Sequence, residues 1–153
     1  MVTINSRAPD FNLDGSDGKS HSLKEFSGKY LVLYFYPKDD TPGCTIEAKG
    51  FSSRISKMRA LGAEVVGVSK DDIASHNRFC SKYDLKILLL SDPSSKTIKE
   101  YGAYGNRGIF GFGTLRTTFI IDKKGKIAKI FEKVNPLGHE TEIMDAIKAL
   151  EKE

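Results

Sequence analysis

The uninterrupted apolar run at residues 30–36 is the feature that most constrains how this chain can fold. It consists of aromatic and aliphatic residues that favour strands. Such a run is typical of a strand buried on both faces, in the middle of a parallel or mixed sheet. Pro37 follows and ends the run, because proline cannot donate a backbone hydrogen bond to a central strand.

The rest of the chain alternates between helical and strand patterns. Apolar residues recur at helical spacing after Cys44, and Gly62 stands where a helix commonly ends. The residues at this spacing are Ile46, Phe51, Ile55, Met58 and Leu61. Further strands are predicted at residues 64–68, 87–90, 117–121 and 127–131, and further helices after Asp71 or Asp72, at residues 98–101 and at residues 140–150.

The order of these elements predicts one α/β domain that spans residues 1–153. Strands and helices alternate, and the series ends in a hairpin with its turn at residues 122–125, followed by a helix. This order favours a central mixed sheet flanked by helices. Short strand candidates at residues 11–13 and around His21, on either side of a turn cluster, predict an N-terminal β-hairpin extension.

Composition argues against several classes of function. The net charge is +4 and the isoelectric point about 9.0, but the lysines are spread along the chain, which favours a solvated basic surface over a nucleic-acid site. There is no pattern of a signal peptide or of a membrane span, so we expect a cytoplasmic protein without membrane association. His21, His76 and His139 lack metal-ligand spacing, and the glycine-rich loop at 105–113 fails the dinucleotide pattern. We therefore predict no metal and no cofactor.

The chain has two cysteines, Cys44 and Cys80, which is too few for the disulfide framework of a secreted scaffold. Cys44 falls in the first turn of a predicted helix, directly after the polar loop at residues 39–43. Unpaired backbone N–H groups and the positive end of the helix dipole stabilise a thiolate at such a position. The alternative is a buried, inert cysteine. The polar loop predicts instead a reactive thiol near the surface.

Residues 36–47 read Tyr-Pro-Lys-Asp-Asp-Thr-Pro-Gly-Cys-Thr-Ile-Glu and resemble the active-site segment of the peroxiredoxins. The segment is similar to the PrxQ branch of that family, also called bacterioferritin comigratory protein. The resemblance extends over nearly the whole chain, including residues 8–11, 23–28 and 115–122. It implies a thioredoxin-like fold and a thiol peroxidase for antioxidant defence. Such an enzyme reduces hydrogen peroxide and organic hydroperoxides to water and alcohols.

The resemblance also implies a role for each matching residue. Cys44 is expected to be the peroxidatic thiolate, which attacks a peroxide oxygen and becomes a sulfenic acid. Thr41 is expected to hydrogen-bond the thiolate and the peroxide through its hydroxyl, and Pro37 to shield the thiolate from water. Arg116 is expected to supply a fixed positive charge with several donors, and the backbone N–H groups of Gly43 and Cys44 to add further donors.

Glu47 and Arg116 are each open to a second interpretation. Glu47 either pairs with Arg116 or another arginine, or it is a first-turn acid that complements the helix dipole. Without the resemblance, Arg116 would be interpreted as an exposed surface arginine, because its sequence position alone does not bring it near Cys44.

Cys80 marks a departure from the commonest family pattern. Many PrxQ members carry a resolving cysteine five residues after the first, and Lys49 occupies that position here. A minority carry it in the next helix, where Cys80 falls. The resemblance therefore implies a Cys44–Cys80 disulfide, and we expect local unwinding to form it, because a disulfide needs Cα atoms within roughly 7 Å. The alternative is a structural Cys80 and a one-cysteine peroxiredoxin resolved by an external thiol.

The expected partners are a hydroperoxide and a thioredoxin-like or other dithiol reductant, and the expected state is a monomer, with a dimer as the alternative. The loop at residues 102–113 is predicted to be a flexible flap. Its Phe110 and Phe112 either line the path of the peroxide, form a subunit contact or simply pack.

Competing classes find less support: a thioredoxin-type reductase would need a Cys-x-x-Cys pair, and no local signature gives Cys44 the histidine base of a cysteine hydrolase. A binding module without an enzyme activity would not explain why Pro37, Thr41 and Arg116 match the peroxiredoxin pattern together with Cys44.

Overall fold

The computed structural model describes residues 2–152. Its strands are β1 (Asn12–Gly15), β2 (Ser20–Ser22), β3 (Tyr30–Phe35), β4 (Ala63–Ser69), β5 (Leu88–Ser91), β6 (Tyr104–Asn106), β7 (Phe112–Thr114), β8 (Thr117–Ile121) and β9 (Ile127–Phe131). Its α-helices are α1 (Pro42–Ala60), α2 (Ile73–Tyr83), α3 (Lys96–Glu100) and α4 (His139–Glu151), with 3₁₀ turns at Leu23–Phe26 and Gly108–Phe110. None of these helices combines the length and apolar character that a bilayer crossing requires.

Strand β3 lies in the interior of a seven-stranded mixed sheet with the order β2-β1-β5-β4-β3-β8-β9. It pairs in parallel with β4 and antiparallel with β8. Its side chains alternate between two cores: Val32 and Tyr34 belong to one, and Leu31 and Leu33 to the other. The prediction of a strand buried on both faces is therefore confirmed, as is the mixed α/β class.

Helices cover both faces of the sheet. Helices α1, α2 and α4 contribute to the core on the Tyr34 side, and α3 contributes Ile98 to the core on the other side. Helix α1 buries Phe51, Ile55 and Met58 as its spacing predicts, but Ile46 is exposed. The prediction for Ile46 is wrong because the inward stripe of α1 begins at Cys44, and a residue two positions later points away from it.

The two small hairpins of the chain differ in how well they were predicted. The N-terminal hairpin is confirmed: β1 and β2 pair antiparallel, and β1 continues the sheet at β5. The glycine-rich flap is instead a small hairpin of β6 and β7, with Gly105 opposite Gly113. Phe110 and Phe112 at its tip are both 72% exposed, so they do not pack inside this chain.

One edge of the sheet gathers segments that are far apart in the sequence. Parallel strands β3 and β4 both end there, and antiparallel β8 begins there, with Thr117 opposite Phe35. The loop into α1, the loop into α2 and residue 116 therefore meet at one place. Loops at the carboxyl ends of parallel strands commonly carry functional groups.

Candidate active site

Cys44 is the third residue of α1, which begins with Thr41 as N-cap and Pro42 as its first residue. The Thr41 carbonyl accepts the N–H of Thr45 at 2.8 Å, while its hydroxyl donates to the carbonyl of Lys38 at 2.8 Å. Within residues 2–152, no side chain caps this helix end. The N–H groups of the first turn are therefore available to a negative charge.

The Cys44 residue is buried, with 1% of its surface exposed, and this corrects the expectation of a thiol near the surface. Cys44, Ala48 and Phe51 lie on one face of α1 and pack into the core that contains Tyr34. The loop before Cys44 is polar, but helical periodicity directs its side chain inward. Since a buried thiol among apolar groups is ordinarily inert, the chemistry of Cys44 depends on the polar groups that reach its sulfur.

Arg116 is brought to Cys44 by topology rather than by sequence proximity. It immediately precedes β8, and its Nη2 lies 3.5 Å from Cys44 Sγ. Gly43 leaves space for the guanidinium, since a Cβ at that position would lie 3.0 Å from Nη2 and 3.3 Å from Pro136 Cγ. The interpretation of Arg116 as an exposed surface arginine is therefore wrong, because its side chain lies against the start of α1.

Glu47 pairs with Arg116, which decides between its two interpretations. Its Oε1 accepts from Arg116 Nη1 at 2.9 Å. The Glu47 side chain is buried, and burial raises its pKa to about 7, against the opposing effect of Arg116. Burial disfavours the charged guanidinium too, but Cys44 and Glu47 outweigh it and raise the pKa of Arg116. One guanidinium thus bridges the sulfur and a buried carboxylate.

This burial predicts a pH effect on stability. A carboxyl whose folded pKa is raised stabilises the fold most below its ordinary value of 4.5, and this contribution is lost as the pH rises towards about 7. Glu47→Gln has no carboxyl to ionise and should not show this loss. Relative to wild type, its free energy of unfolding should therefore rise by up to ~3 kcal/mol as the pH goes from 4.5 to about 7. Urea unfolding across the range measures the difference. Glu64→Gln, which breaks the surface pair with Arg59, is the matched control, and equal curves for Glu47→Gln and wild type would contradict the prediction.

Two buried side-chain atoms within residues 2–152 lack a hydrogen-bond partner: Glu47 Oε2 and the hydroxyl of Tyr34. Burial, with smaller contributions from Glu47 and Cys44, holds the pKa of Tyr34 well above its usual value. Sequence reasoning missed Tyr34, because a tyrosine in a buried strand carries no pattern that separates it from the core.

Pro37 and Thr41 lie where the motif predicts, on the loop between β3 and α1, and both are half-buried. The hydrogen bond of the Thr41 hydroxyl goes to Lys38 and not to Cys44. To donate to a bound peroxide, that hydroxyl has to rotate away from the Lys38 carbonyl.

Cys80 lies on α2 and is half-buried, and neither cysteine is in a disulfide. Burial raises the pKa of the Cys80 thiol, although a hydrogen bond with Ser16 opposes this. Cys44 lies in the core that contains Tyr34, and Cys80 packs against the same core from α2. A disulfide between them would require their Cα atoms to lie within roughly 7 Å of each other.

The loop before Cys44 is bonded to α2 by two adjacent aspartates. Although adjacent acids in a polar loop are usually solvated, Asp39 is buried and accepts from Ser75 Oγ at 2.8 Å and His76 Nδ1 at 2.6 Å. Asp40 is exposed and accepts from Lys82 Nζ at 2.8 Å. No signal in the sequence identifies this contact, because it joins a loop to a helix that is distant in the sequence and that only the sheet brings close.

Comparison with known proteins agrees with this geometry. The profile of the AhpC/TSA family matches residues 4–130. A "Putative peroxiredoxin bcp" of Helicobacter pylori is 44% identical over 149 residues, which covers 95% of this chain and 98% of that protein. A PrxQ mutant of Xylella fastidiosa superposes with a TM-score of 0.94 at 29% identity, covering 97% of each chain.

A third similar protein is Peroxiredoxin Q of Xanthomonas campestris, solved as two different cysteine-to-serine mutants. Each superposes with a TM-score of 0.90 at 30% identity and covers 97% of this chain and 96–97% of its own. The family match over most of the chain, the relatives above 40% identity and the thioredoxin-like neighbours agree with one another. The chain therefore belongs to the AhpC/TSA family, as a peroxiredoxin of the Bcp and PrxQ branch, and is a thiol peroxidase.

Proposed function

We propose that Cys44 is the peroxidatic residue of a two-cysteine peroxidase, with Cys80 as the resolving cysteine and a thioredoxin-like dithiol as the reductant. The observation that carries the proposal is the 3.5 Å contact of Cys44 Sγ with Arg116 at an uncapped helix start. A thiolate there has a fixed counter-charge and free N–H groups, which favour attack on a peroxide oxygen. The substrates are hydrogen peroxide and organic hydroperoxides.

In the first step the Cys44 thiolate attacks one peroxide oxygen, a sulfur–oxygen bond forms and the oxygen–oxygen bond breaks. The sulfur is oxidised to a sulfenic acid, and the second oxygen leaves with a proton as water or an alcohol. Negative charge moves from sulfur to the leaving oxygen, so donors that reach both positions lower the barrier. Arg116 is suited to this role because it stays protonated and presents several N–H groups in one plane.

The remaining residues of the site support that step. Glu47 holds one end of the guanidinium at 2.9 Å, which leaves the other end directed at the sulfur. Thr41 donates its hydroxyl to the peroxide after it leaves Lys38, and Pro37 limits the access of water at the end of β3.

In the second step the Cys80 thiolate attacks the sulfur of the Cys44 sulfenic acid. A disulfide forms, and hydroxide leaves and takes up a proton as water. Because Cys44 and Cys80 are held in two separate helices, we expect the start of α1 and part of α2 to unwind first. The two cysteines that were substituted in Xanthomonas campestris Peroxiredoxin Q are separated by as many residues as Cys44 and Cys80, which supports the pairing.

In the third step a dithiol reductant exchanges with the Cys44–Cys80 disulfide and returns both thiols, while its own pair is oxidised. Since this recycling needs a reducing environment, the proposal includes a cytoplasmic location.

The disulfide is tested by peptide mapping of peroxide-treated protein under non-reducing conditions. We expect a cross-linked peptide containing Cys44 and Cys80 in wild type, and none in Cys80→Ser. Cys80→Ser should still form the sulfenic acid at Cys44 but should turn over at least about tenfold more slowly with thioredoxin as donor. If wild type gives no such peptide and both proteins turn over equally with an external monothiol, the one-cysteine mechanism replaces this proposal.

A further inference from the structure

His76 is a buried histidine with a hydrogen-bond acceptor at each ring nitrogen. It is fully buried in α2. Its Nδ1 lies 2.6 Å from Asp39 Oδ2, and its Nε2 lies 2.9 Å from the carbonyl oxygen of Leu90. A carboxylate and a carbonyl can only accept, so both ring nitrogens must donate, and a neutral imidazole has only one N–H. With Asp39 ionised, as the further hydrogen bonds that its carboxylate accepts from Tyr36 and Ser75 favour, the geometry therefore requires an imidazolium.

His139 provides a contrast within the same fold. It is also buried, and its Nδ1 lies 2.7 Å from Glu142 Oε1. Its Nε2, however, lies 2.8 Å from the hydroxyl of Thr118, which can donate as well as accept. A neutral His139 satisfies both contacts, and burial lowers its pKa. Burial opposes the charge of His76 as well, but Asp39 outweighs it and raises the pKa of His76.

The groups around His76 come from every segment that packs on it. Asp39 lies on the loop after β3 and also accepts from the Tyr36 hydroxyl at 2.6 Å, and the Tyr36 ring centre is 6.5 Å from that of His76. Asp71, on the loop between β4 and α2, accepts the Asp39 N–H at 2.9 Å and adds a further negative charge. Strand β5 contributes the Leu90 carbonyl. Asp39 and Asp71 are both acids, so they favour a cation at His76.

We infer that His76 is a positioning residue of the peroxidase site: as an imidazolium it fixes Asp39, and through Asp39 it fixes the loop that carries Thr41 and Cys44. The inference rests on the proposed role of Cys44. Asp39 is two residues from Thr41 and five from Cys44, and its carboxylate and its N–H are both bonded to the α2 side of the site. The bond therefore sets where the loop lies relative to Arg116.

The inference predicts an alkaline loss of order in this loop. A raised pKa means that the stabilising contact is complete below the ordinary value of 6.5 and is lost as the pH rises through the folded value. On deprotonation either Asp39 or the Leu90 carbonyl loses its donor. The rate of Cys44 oxidation by hydrogen peroxide should then fall about tenfold, because small displacements of reacting groups are costly.

Three proteins test this, all in a Cys80→Ser background so that the sulfenic acid at Cys44 can be followed by mass. Wild type at position 39 should show the alkaline fall. Asp39→Asn should show none, since a neutral His76 can accept from the introduced amide and still donate to Leu90. Asp40→Asn removes the exposed aspartate that bonds the same helix at Lys82, and it should behave as wild type.

Ring-nitrogen NMR of His76 is the direct readout. We expect both nitrogens protonated near neutral pH in wild type and one in Asp39→Asn. A neutral His76 in wild type, or equal alkaline falls in wild type and Asp39→Asn, overturns the inference. Amide hydrogen exchange at residues 39–44, corrected for intrinsic rates, tests the positioning role of His76 separately from the proposed function. If Cys44 is not oxidised, the peroxidatic role fails. An alkaline rise in exchange that occurs only in proteins with Asp39 still upholds the positioning role.

Discussion

Replacing Cys44 by serine should reduce hydroperoxide consumption to the uncatalysed background, a loss of at least about a thousandfold in kcat/KM. A serine hydroxyl is a far weaker nucleophile than a thiolate near neutral pH. Arg116 stabilises an anion that forms readily at sulfur and not at the serine oxygen. Consumption of hydrogen peroxide and of an organic hydroperoxide, with a dithiol reductant in excess, measures the effect.

The matched control for this variant is Cys80→Ser, which alters the other thiol of the chain. It should react with one equivalent of peroxide as fast as wild type, because Cys80 lies on α2 and takes no part in the contacts that join Cys44, Arg116 and Glu47. Cys44→Ser should react with none. Substantial turnover by Cys44→Ser would show that Cys44 is not the peroxidatic residue.

Arg116→Met should lower kcat/KM by about a hundredfold to a thousandfold, the usual effect of removing one donor from a site of developing charge. The variant removes the group that lies 3.5 Å from the sulfur and leaves the buried Glu47 carboxylate without its partner. Glu47, whose pKa is already about 7, should then stay protonated near neutral pH. Stopped-flow kinetics with hydrogen peroxide measure the loss of rate. Urea unfolding at several pH values measures the effect of the unpaired Glu47 on stability.

Arg116→Lys separates charge from geometry, since a single ammonium cannot span Cys44 and Glu47 as the guanidinium does. It should be intermediate between Arg116→Met and wild type. Arg59→Met, which breaks the exposed pair with Glu64, is the control and should leave the rate unchanged. If Arg116→Met reacted within a few-fold of wild type, Arg116 would not stabilise the transition state.

Local patterns predicted most of the fold, because they depend on residues that are neighbours in sequence. The buried strand at residues 30–36 and the end of α1 at Gly62 follow from such patterns, as does a cap of α2 at Asp71 or Asp72, of which the structure selects Asp72. Ile46 was misassigned because several phases of a helical stripe fit the residues after Cys44, and only packing on the sheet selects one. The β6–β7 hairpin was missed because glycine-rich strands carry little apolar alternation.

The site was predictable only in part, for a physical reason. Cys44 at a helix start can be inferred from sequence, but Arg116 was assigned by resemblance, since 72 residues separate the two and only the pairing of β8 with β3 joins them. Asp39 and His76 are 37 residues apart and gave no signal at all. A polar contact across a sheet edge becomes visible only when the strand order is known.

The burial of Cys44 has a consequence for which reagents can reach it. Only 1% of the residue is exposed, and the Arg116 guanidinium lies against its sulfur. The size of a reagent therefore limits its access to the thiol. Hydrogen peroxide is barely larger than a water molecule, whereas larger organic hydroperoxides, maleimides and other bulky reagents need the loop to open first. We therefore expect the reduced enzyme to tolerate bulky electrophiles that would inactivate an exposed thiolate, and its labelling by such agents to report the opening of the loop rather than the nucleophilicity of sulfur.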